Sequence, residues 1–287
     1  MKISIVTSCW NRANSIANSI ESVLSQDYAD KEYIIVDGAS TDNTMEVVNR
    51  YIDRIDSVTS EPDKGMYEGI NKGLRKATGD IVGLLHSDDT FYATDILSRI
   101  AKEFERTDAD LIYGNGIFVR ANDTNYVVRD WISGGYERDR IVKGWLPLHT
   151  TVFIKRSVLE TVGYYNESYK ISADTDWLIR CLYKHSLKVA YLDDYIVRMK
   201  MGGASTSFKL MKRKWNEDLK VYKSNGLPQY ISLSLKILSK VPQFVKAKMK
   251  RIKSKVTNKV SETSENNREM LPTNSPEANT AADRKKS

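Results

Sequence analysis

The first half of the chain alternates short apolar segments with amphipathic segments. Apolar residues concentrate at 3–7, 32–36 and 81–85, each bounded by turn-forming residues, which predicts strands. The segments between them, such as 16–24, carry apolar side chains at the 3.6-residue repeat of a helix. Strand–helix alternation at this spacing predicts βαβ units with right-handed crossovers, and hence an α/β fold with a Rossmann-like, mostly parallel sheet flanked by helices.

The strand at 81–85 is continuously apolar and ends in two adjacent carboxylates, Asp88 and Asp89. A continuous apolar run predicts burial on both faces of the sheet, and ligands of open α/β sheets gather at the carboxyl ends of such strands. Two neighbouring carboxylates repel each other unless a cation neutralises them. A divalent cation that bridges these carboxylates to a diphosphate would remove that repulsion. The alternative is capping of a helix that begins near Thr94, which accounts for one acid but not for both.

After Asp89 the alternation is less regular. We predict two strands that meet at a tight turn, 111–114 and 116–120, and further strands at 149–154 and 188–192. A helix is predicted at 174–183. No internal repeat is present.

The C-terminal part differs from the rest in charge. The chain of 287 residues has a net charge of +7, but residues 207–256 hold 14 Lys/Arg against two acids, residues 257–287 are neutral, and residues 1–206 carry −5. Apolar residues at helical spacing within 207–256 predict basic amphipathic helices, and the loss of aliphatic residues after 256 predicts a disordered tail. The sequence therefore divides into a main domain at 1–206, a basic helical appendage at 207–256 and a tail at 257–287.

Charge and cysteine content indicate partners and compartment. A basic appendage on a mildly acidic body argues against nucleic acid and favours an anionic membrane surface, although a solvated face of a helical cap is the alternative.

Cys9 and Cys181 lie far apart in apolar segments, which predicts buried free thiols in a reducing compartment. No stretch approaches the roughly 20 apolar residues of a membrane span. We expect a cytoplasmic protein that is peripheral on the inner face of the plasma membrane.

Eight short motifs follow one another in a fixed order. They are Thr7–Arg12 (TSCWNR), Ser22–Gln26 (SVLSQ), Val36–Asp42 (VDGASTD), Asp63–Gly65 (DKG), Asn71–Gly73 (NKG), Ala77–Asp80 (ATGD), Ser87–Asp89 (SDD) and Ala173–Asp176 (ADTD). In this order and spacing the chain resembles, over about residues 1–206, the family-2 glycosyltransferases. These are nucleotide-sugar-dependent enzymes of the GT-A fold, and the chain most resembles members that build bacterial surface polysaccharides.

The resemblance implies a nucleotide-sugar site at the strand ends. It implies that Asp37 binds the base or ribose and that Thr7 and Cys9 line the same pocket. Asp63 and Lys64 belong to the same implied donor site, where Lys64 could pair with the diphosphate. For Asp37 the alternative is capping of the following helix, and for Lys64 it is a solvated surface lysine.

The family's metal motif, Asp-x-Asp, reads His86-Ser87-Asp88 in this chain. The resemblance implies a divalent metal, Mn²⁺ or Mg²⁺, with Asp88 as first ligand and Asp89 as second. A cation held by carboxylates would stabilise the charge that develops on a departing nucleoside diphosphate. His86 departs from the family pattern and could ligate the metal, bind phosphate or only fill the site.

The other half of the reaction needs a base for the acceptor hydroxyl. The family places it in a Glu-Asp pair at a helix start, which reads Ala173-Asp174 here, so the first acid is missing and Asp174 is the predicted base. Asp176 points about 200° away on an ideal helix, so only one of the two can face the cleft. His149 resembles a histidine near the acceptor or diphosphate in the relatives, and a structural histidine is the alternative.

Taken together, the resemblance implies an inverting glycosyltransferase that moves a sugar from a nucleoside-diphosphate donor to a glycan or lipid-linked acceptor in cell-surface polysaccharide synthesis. A catalytically inactive nucleotide-binding or scaffold homologue is the alternative, because acids are missing at positions 86 and 173. A nucleotidyltransferase would need a Gly-rich, basic loop after the first strand, and Ser8–Arg12 offers none.

Overall fold

The computed structural model describes residues 1–201 and 210–238. In chain order the elements are β1 Ile3–Cys9, α1 Ile16–Leu24, β2 Lys31–Asp37, α2 Thr44–Asn49, β3 Ser57–Ser60, α3 Met66–Lys76, β4 Ile81–Leu84, β5 Thr90–Phe91, α4 Ile96–Thr107, β6 Leu111–Arg120, β7 Asp123–Trp131, α5 Arg138–Val142, β8 Phe153–Lys155, α6 Ser157–Val162, α7 Ala173–Ile179, β9 Val189–Lys200, α8 Met211–Ser224 and α9 at 229–238. Short 3₁₀ turns occupy Ile52–Arg54 and His149–Thr151, and a π-helical turn, Arg180–Lys184, follows α7.

Within the described residues, nine strands form one sheet in the order β3-β2-β1-β4-β8-β6-β9-β5, with β7 paired to β6. Strands β1 to β4 are mutually parallel, whereas β8 is antiparallel to both of its neighbours. Cys9 pairs with Asp37 at the ends of β1 and β2, and Val6 pairs with Leu84 at the end of β4. The carboxyl ends of β1, β2 and β4 therefore meet at one edge of the sheet. The predicted α/β fold class is confirmed.

Helices cover both faces of the sheet. Side chains alternate along β1, so that Ile5 packs in a cluster with α1 and α4 while Val6 packs in a second cluster with α3, α7 and α8. Helix α3 approaches β1 closely, since a Cβ atom on Gly73 would lie 2.3 Å from Cγ1 of Val6. This close packing holds α3 directly against β1.

The second half departs from the sequence prediction in its element boundaries. Residues 111–120 are one continuous strand and not two strands around a turn. The two glycines that suggested a turn are required by packing, because a Cβ on Gly114 would lie 2.7 Å from Ile196 and one on Gly116 would lie 2.6 Å from Leu148. The predicted strand at 149–154 begins as a 3₁₀ turn, and the strand predicted at 188–192 continues to Lys200.

The basic region is described only in part. The described residues, 1–201 and 210–238, belong to one compact unit, and α8 and α9 are its last elements. The predicted loop at 202–207, the basic residues from 239 to 256 and the predicted tail at 257–287 lie outside the described residues. Among the helices of 1–201 and 210–238, none combines the length and the hydropathy that crossing a bilayer requires.

Candidate active site

Asp37 ties three strand ends together. Its fully buried carboxylate accepts hydrogen bonds from the Ser40 backbone N–H (2.9 Å) and from the Ser60 hydroxyl (2.7 Å), and the Cys9 thiol lies 3.6 Å away. The Ser40 hydroxyl also donates to it. Helix α2 begins at Thr44, so Asp37 does not cap it. Burial, followed by the negative charge of Asp37, raises the pKa of the Cys9 thiol.

Asp63 faces the same region from beyond β3. Its Oδ2 lies so close to two backbone positions that a Cβ on Gly38 would approach it to 2.9 Å and one on Gly69 to 2.8 Å. Burial raises the pKa of Asp63, and Asp37 contributes to that rise. The structure therefore brings Cys9, Asp37 and Asp63 together at the ends of β1 and β2, beside α3.

Thr7 and Lys64 are placed differently. The Thr7 side chain is fully buried, donates to the backbone carbonyl of Leu85 at 2.7 Å and accepts from the Tyr33 hydroxyl at 3.2 Å. It faces the core and not the cluster around Asp37. Lys64 is exposed at the start of α3, where its backbone N–H donates to Glu68.

The loop after β4 carries the two adjacent acids. Asp88 is half-buried, and its carboxylate makes no hydrogen bond or ion pair with residues 1–201 or 210–238. Asp89 is 2% exposed, and its Oδ1 accepts the backbone N–H of Lys200 at 3.1 Å, while Oδ2 has no partner within the described residues. Burial, with the adjacent Asp88, raises the pKa of Asp89. Helix α4 begins at Ile96 behind Asp95, so neither acid caps it.

A protein-only metal cage is absent from the part of the chain that the structure describes, where no three His, Cys, Asp or Glu side chains could hold an ion together. Mg²⁺-type sites on nucleotides need only one or two carboxylates in addition to the phosphates. The Asp88 carboxylate, which has no partner among the described residues, fits such a site as a first ligand. Oδ2 of Asp89 fits as a second ligand but is less accessible, because it is buried.

Two histidines connect this loop to α7. Nε2 of His86 lies 2.9 Å from Nε2 of His149, and Nδ1 of His149 lies 3.4 Å from Oδ2 of Asp174. The rings of His86 and His149 are 5.2 Å apart and tilted by 58°. The loop that bears Asp88 is thus linked through two imidazoles to the predicted base.

The two acids of α7 have different surroundings. Asp174 keeps 20% of its side chain exposed, and its Oδ1 accepts the backbone N–H of Thr175 at 2.7 Å. Asp176 is buried, pairs with Arg180 at 2.9 Å and accepts from the side-chain amide of Asn225 at 2.9 Å. Asp176 therefore joins α7 to the chain after α8, and Asp174 is the one that faces the histidines.

The surroundings of Asp174 favour its charged form. Burial would raise its pKa, but His149 and the cations Lys214 and Lys236 outweigh burial, so that the pKa lies below the usual value. Burial lowers the pKa of His149. Burial also lowers the pKa of His86 to about 3, and His149 adds to that effect.

The sequence prediction did not identify Glu217 of α8. Its carboxylate accepts the backbone N–H groups of Ile171 (2.8 Å) and Ser172 (3.1 Å), directly before α7, where the Ser172 side chain makes no capping bond. A carboxylate from another element therefore stabilises the start of the helix that carries Asp174. The available signal was that Glu217 and Asp218 are the only acids of the basic region.

Comparisons with known proteins agree with this architecture. A PGL/p-HBAD biosynthesis glycosyltransferase of Mycobacterium bovis is 31% identical over 193 residues, which is 66% of this chain and 73% of the relative. The structure of Staphylococcus aureus TarS 1–349 in complex with UDP-GlcNAc has a TM-score of 0.59 at 18% identity and covers 86% of this chain and 79% of that one. The mannosyltransferase PcManGT of Pyrobaculum calidifontis, in complex with GDP-Man and Mn²⁺, has a TM-score of 0.57 at 17% identity over 86% of this chain and 73% of that one.

At these identities the two solved structures support the fold alone, which confirms the predicted GT-A architecture. The sequence match to a family is more specific. Residues 4–163, more than half of the chain, match the family described as Glycosyl transferase family 2. The chain therefore belongs to glycosyl transferase family 2.

Proposed function

We propose that the protein is an inverting, metal-dependent glycosyltransferase that transfers a sugar from a nucleoside-diphosphate donor to a glycan or lipid-linked acceptor. The observation that carries the proposal is the contact chain between the Asp88 loop and Asp174, through 2.9 Å between His86 and His149 and 3.4 Å between His149 and Asp174. These contacts support the proposal because they join the loop of Asp88, a carboxylate suited to a metal–diphosphate, to Asp174, a carboxylate suited to proton abstraction.

The proposed reaction starts from the ionised carboxylate of Asp174. The acceptor hydroxyl loses its proton to the Asp174 carboxylate, and its oxygen forms a bond to the anomeric carbon of the donor. The bond from that carbon to the diphosphate breaks on the opposite side, and its electron pair leaves with the diphosphate. In-line displacement of this kind inverts the configuration at the anomeric carbon. The lowered pKa of Asp174 keeps it in the ionised form that abstraction requires.

Donor binding is assigned to the strand ends. Asp37, with Cys9 and Asp63 beside it, is the proposed site for the base and ribose of the donor. Asp88 is the proposed first metal ligand and Asp89 the second. A bound Mn²⁺ or Mg²⁺ supplies electrostatic stabilisation of the departing diphosphate. Thr7 is proposed to support the donor site indirectly, because its hydroxyl ties the end of β1 to Leu85 after β4. Lys64 is the proposed contact of the diphosphate.

The relatives support a role in cell-surface glycans. The mycobacterial relative is named for PGL/p-HBAD biosynthesis, and the TarS and PcManGT structures contain UDP-GlcNAc and GDP-Man, respectively. We infer that the acceptor is a growing surface glycan or its lipid-linked precursor. A cytoplasmic location at the inner face of the plasma membrane, with the basic C-terminal helices against anionic lipid, is part of the proposal.

Donor turnover tests the function. The full chain is incubated with UDP- and GDP-sugars and Mn²⁺, and sugar release is measured for wild type, Asp88→Ala and Asp174→Asn. We expect Asp174→Asn to lower kcat by about 10²- to 10⁴-fold with nucleotide binding retained, because it removes the base alone. We expect Asp88→Ala to weaken nucleotide binding. Absence of turnover by wild type with every donor, together with intact nucleotide binding, would favour the inactive nucleotide-binding alternative.

A further inference from the structure

His149 lies between the proposed base and the loop that carries the proposed metal ligand, and the inference drawn from it rests on the proposed function. One nitrogen of its ring, Nδ1, is 3.4 Å from Oδ2 of Asp174, and the other, Nε2, is 2.9 Å from Nε2 of His86. His86 lies two residues before Asp88 on the loop that follows β4. A single imidazole therefore reaches from the proposed base to the loop of the proposed metal ligand.

Hydrogen-bonding rules select one arrangement of protons along this chain. A neutral imidazole has one N–H donor and one lone pair, and an ionised carboxylate only accepts. The contact of His149 Nδ1 with Asp174 is an ion-pair distance of 3.4 Å, at which the carboxylate attracts an N–H and repels a lone pair. The arrangement that this selects is Nδ1–H, which leaves a lone pair on Nε2. The 2.9 Å contact is then made only if His86 carries its proton on Nε2. The opposite arrangement would direct the lone pair of His149 Nδ1 at a carboxylate.

We propose that His86 and His149 are positioning residues, with His86 Nε2–H donating to His149 and His149 Nδ1–H directed at Asp174. The base is thereby held in a fixed orientation relative to the loop that carries Asp88. This arrangement also gives a physical reason for the departure from the Asp-x-Asp pattern. An aspartate at position 86 could only accept a hydrogen bond, so it could not donate to the lone pair of His149.

The tautomers can be read directly in the full chain, independently of turnover. The sequence contains three histidines, and the third, His185, lies after the π-helical turn and serves as the reference. With ¹⁵N-labelled histidine, long-range ¹H–¹⁵N spectra at pH 7 distinguish Nδ1–H, Nε2–H and doubly protonated rings. We expect Nδ1–H for His149 and Nε2–H for His86. An Nε2–H or doubly protonated His149 would overturn the inference, whether or not the protein transfers sugar.

Variants at His149 separate its two contacts. The amide nitrogen of His149→Asn replaces Nδ1, whereas that of His149→Gln replaces Nε2. We expect Asn to keep kcat within about 10-fold of wild type and Gln to lower it by about 10- to 100-fold, with the KM for donor unchanged in both, because misoriented groups cost rate more than binding. A higher kcat in the Gln variant than in the Asn variant, or a loss confined to KM, would contradict the proposed positioning.

Variants at His86 test the direction of the hydrogen bond. His86→Gln retains an N–H that can donate to His149, and His86→Asp restores the family's acid but removes the donor. We expect the Gln variant to keep more kcat than the Asp variant. An Asp variant as active as wild type would indicate a metal-ligand role for position 86 and overturn the inference. Thermal unfolding of each variant checks that it is folded, and the wild-type tautomers decide the matter if a variant is not.

Discussion

At the scale of single residues, Asp174 is an acid kept ionised in a partly buried place. Its neighbours include His149, Lys214 and Lys236, and together they hold its pKa below the usual value of 3.8 despite burial. Two of these neighbours come from α8 and α9, the basic helices at the end of the described chain. The positive charge of the C-terminal helices therefore contributes to the lowered pKa of the proposed base.

The pH dependence of kcat follows from this environment. A base whose pKa is lowered remains ionised, and thus active, until the pH falls through that lowered value. We expect no loss of kcat attributable to Asp174 between pH 7 and pH 5, with the acid limb below the usual value of 3.8. Steady-state rates across this range measure it under saturating donor. An acid limb centred near pH 6 would contradict the assigned base.

Sequence reasoning reached part of the site at this scale. The 200° separation of Asp174 and Asp176 on a helix already limits the cleft to one of them, and the contacts of the two residues differ accordingly. The link between His86 and His149 could not be predicted, since 63 residues separate them and no local pattern encodes their contact. Thr7 was assigned to the donor pocket, but its side chain lies in the core.

At the scale of elements, α7 depends on α8. The N–H groups around the start of a helix need acceptors, and the N-cap residue of α7, Ser172, makes no side-chain capping bond. Glu217 supplies the acceptor from α8, through bonds to Lys170, Ile171 and Ser172, and it pairs with Arg213 within its own helix. The orientation of the first turn of α7, and hence of Asp174, therefore relies on a helix that follows the family match at 4–163.

Replacing this acceptor tests the dependence. Glu217→Gln removes the negative charge that receives three backbone N–H groups and pairs with Arg213, and we expect it to lower the free energy of unfolding by about 1–3 kcal/mol. Chemical denaturation of the full chain measures the change. Glu46→Gln, at an exposed glutamate of α2, is the matched control and should change stability by less than about 0.5 kcal/mol. Equal stabilities of the two variants would show that Glu217 does not anchor α7.

The elements also show where sequence patterns carry information. The parallel strands β1, β2 and β4 were predicted because buried parallel strands are apolar segments bounded by turns. The long strand β6 was predicted as two strands because Gly114 and Gly116 resemble turn residues, whereas their actual role is close packing against Ile196 and Leu148. A glycine required by a distant side chain and a glycine required by a turn cannot be distinguished in one sequence.

At the scale of the whole molecule, the sheet order gathers the site. Strand β1 lies between β2 and β4, so Asp37 at the end of β2 and Asp88 after β4 flank the same strand. The parallel half contributes the proposed donor site, and the antiparallel β8, preceded by His149, connects that half to β6 and β9. The fold class was predictable because this arrangement follows from the order of strands and helices.

We expect the basic C-terminal helices to bind an anionic membrane surface. Helix α9 exposes Tyr230, Ile231 and Leu238 at 60–69%, next to a region rich in Lys and Arg. We expect the full chain to sediment with phosphatidylglycerol vesicles and less with phosphatidylcholine vesicles, and to be released by salt. Ile231→Glu with Leu238→Glu should weaken binding, whereas Val127→Glu on β7 should not. Equal binding to both lipids would contradict docking on an anionic surface.

The central claim is that Asp88 holds a cation that neutralises a nucleoside diphosphate in the cleft of Asp174. The most direct test is the binding of Mn²⁺ in the presence of UDP or GDP. Binding is measured as the loss of the electron paramagnetic resonance signal of the free ion. The exposed Asp53→Ala serves as control. We expect wild type, Asp53→Ala and Asp174→Asn to bind equally. We expect Asp88→Ala to bind at least about tenfold more weakly, since even outer-shell partners of a metal are worth 10- to 100-fold. Undiminished nucleotide-dependent Mn²⁺ binding by Asp88→Ala would contradict the claim.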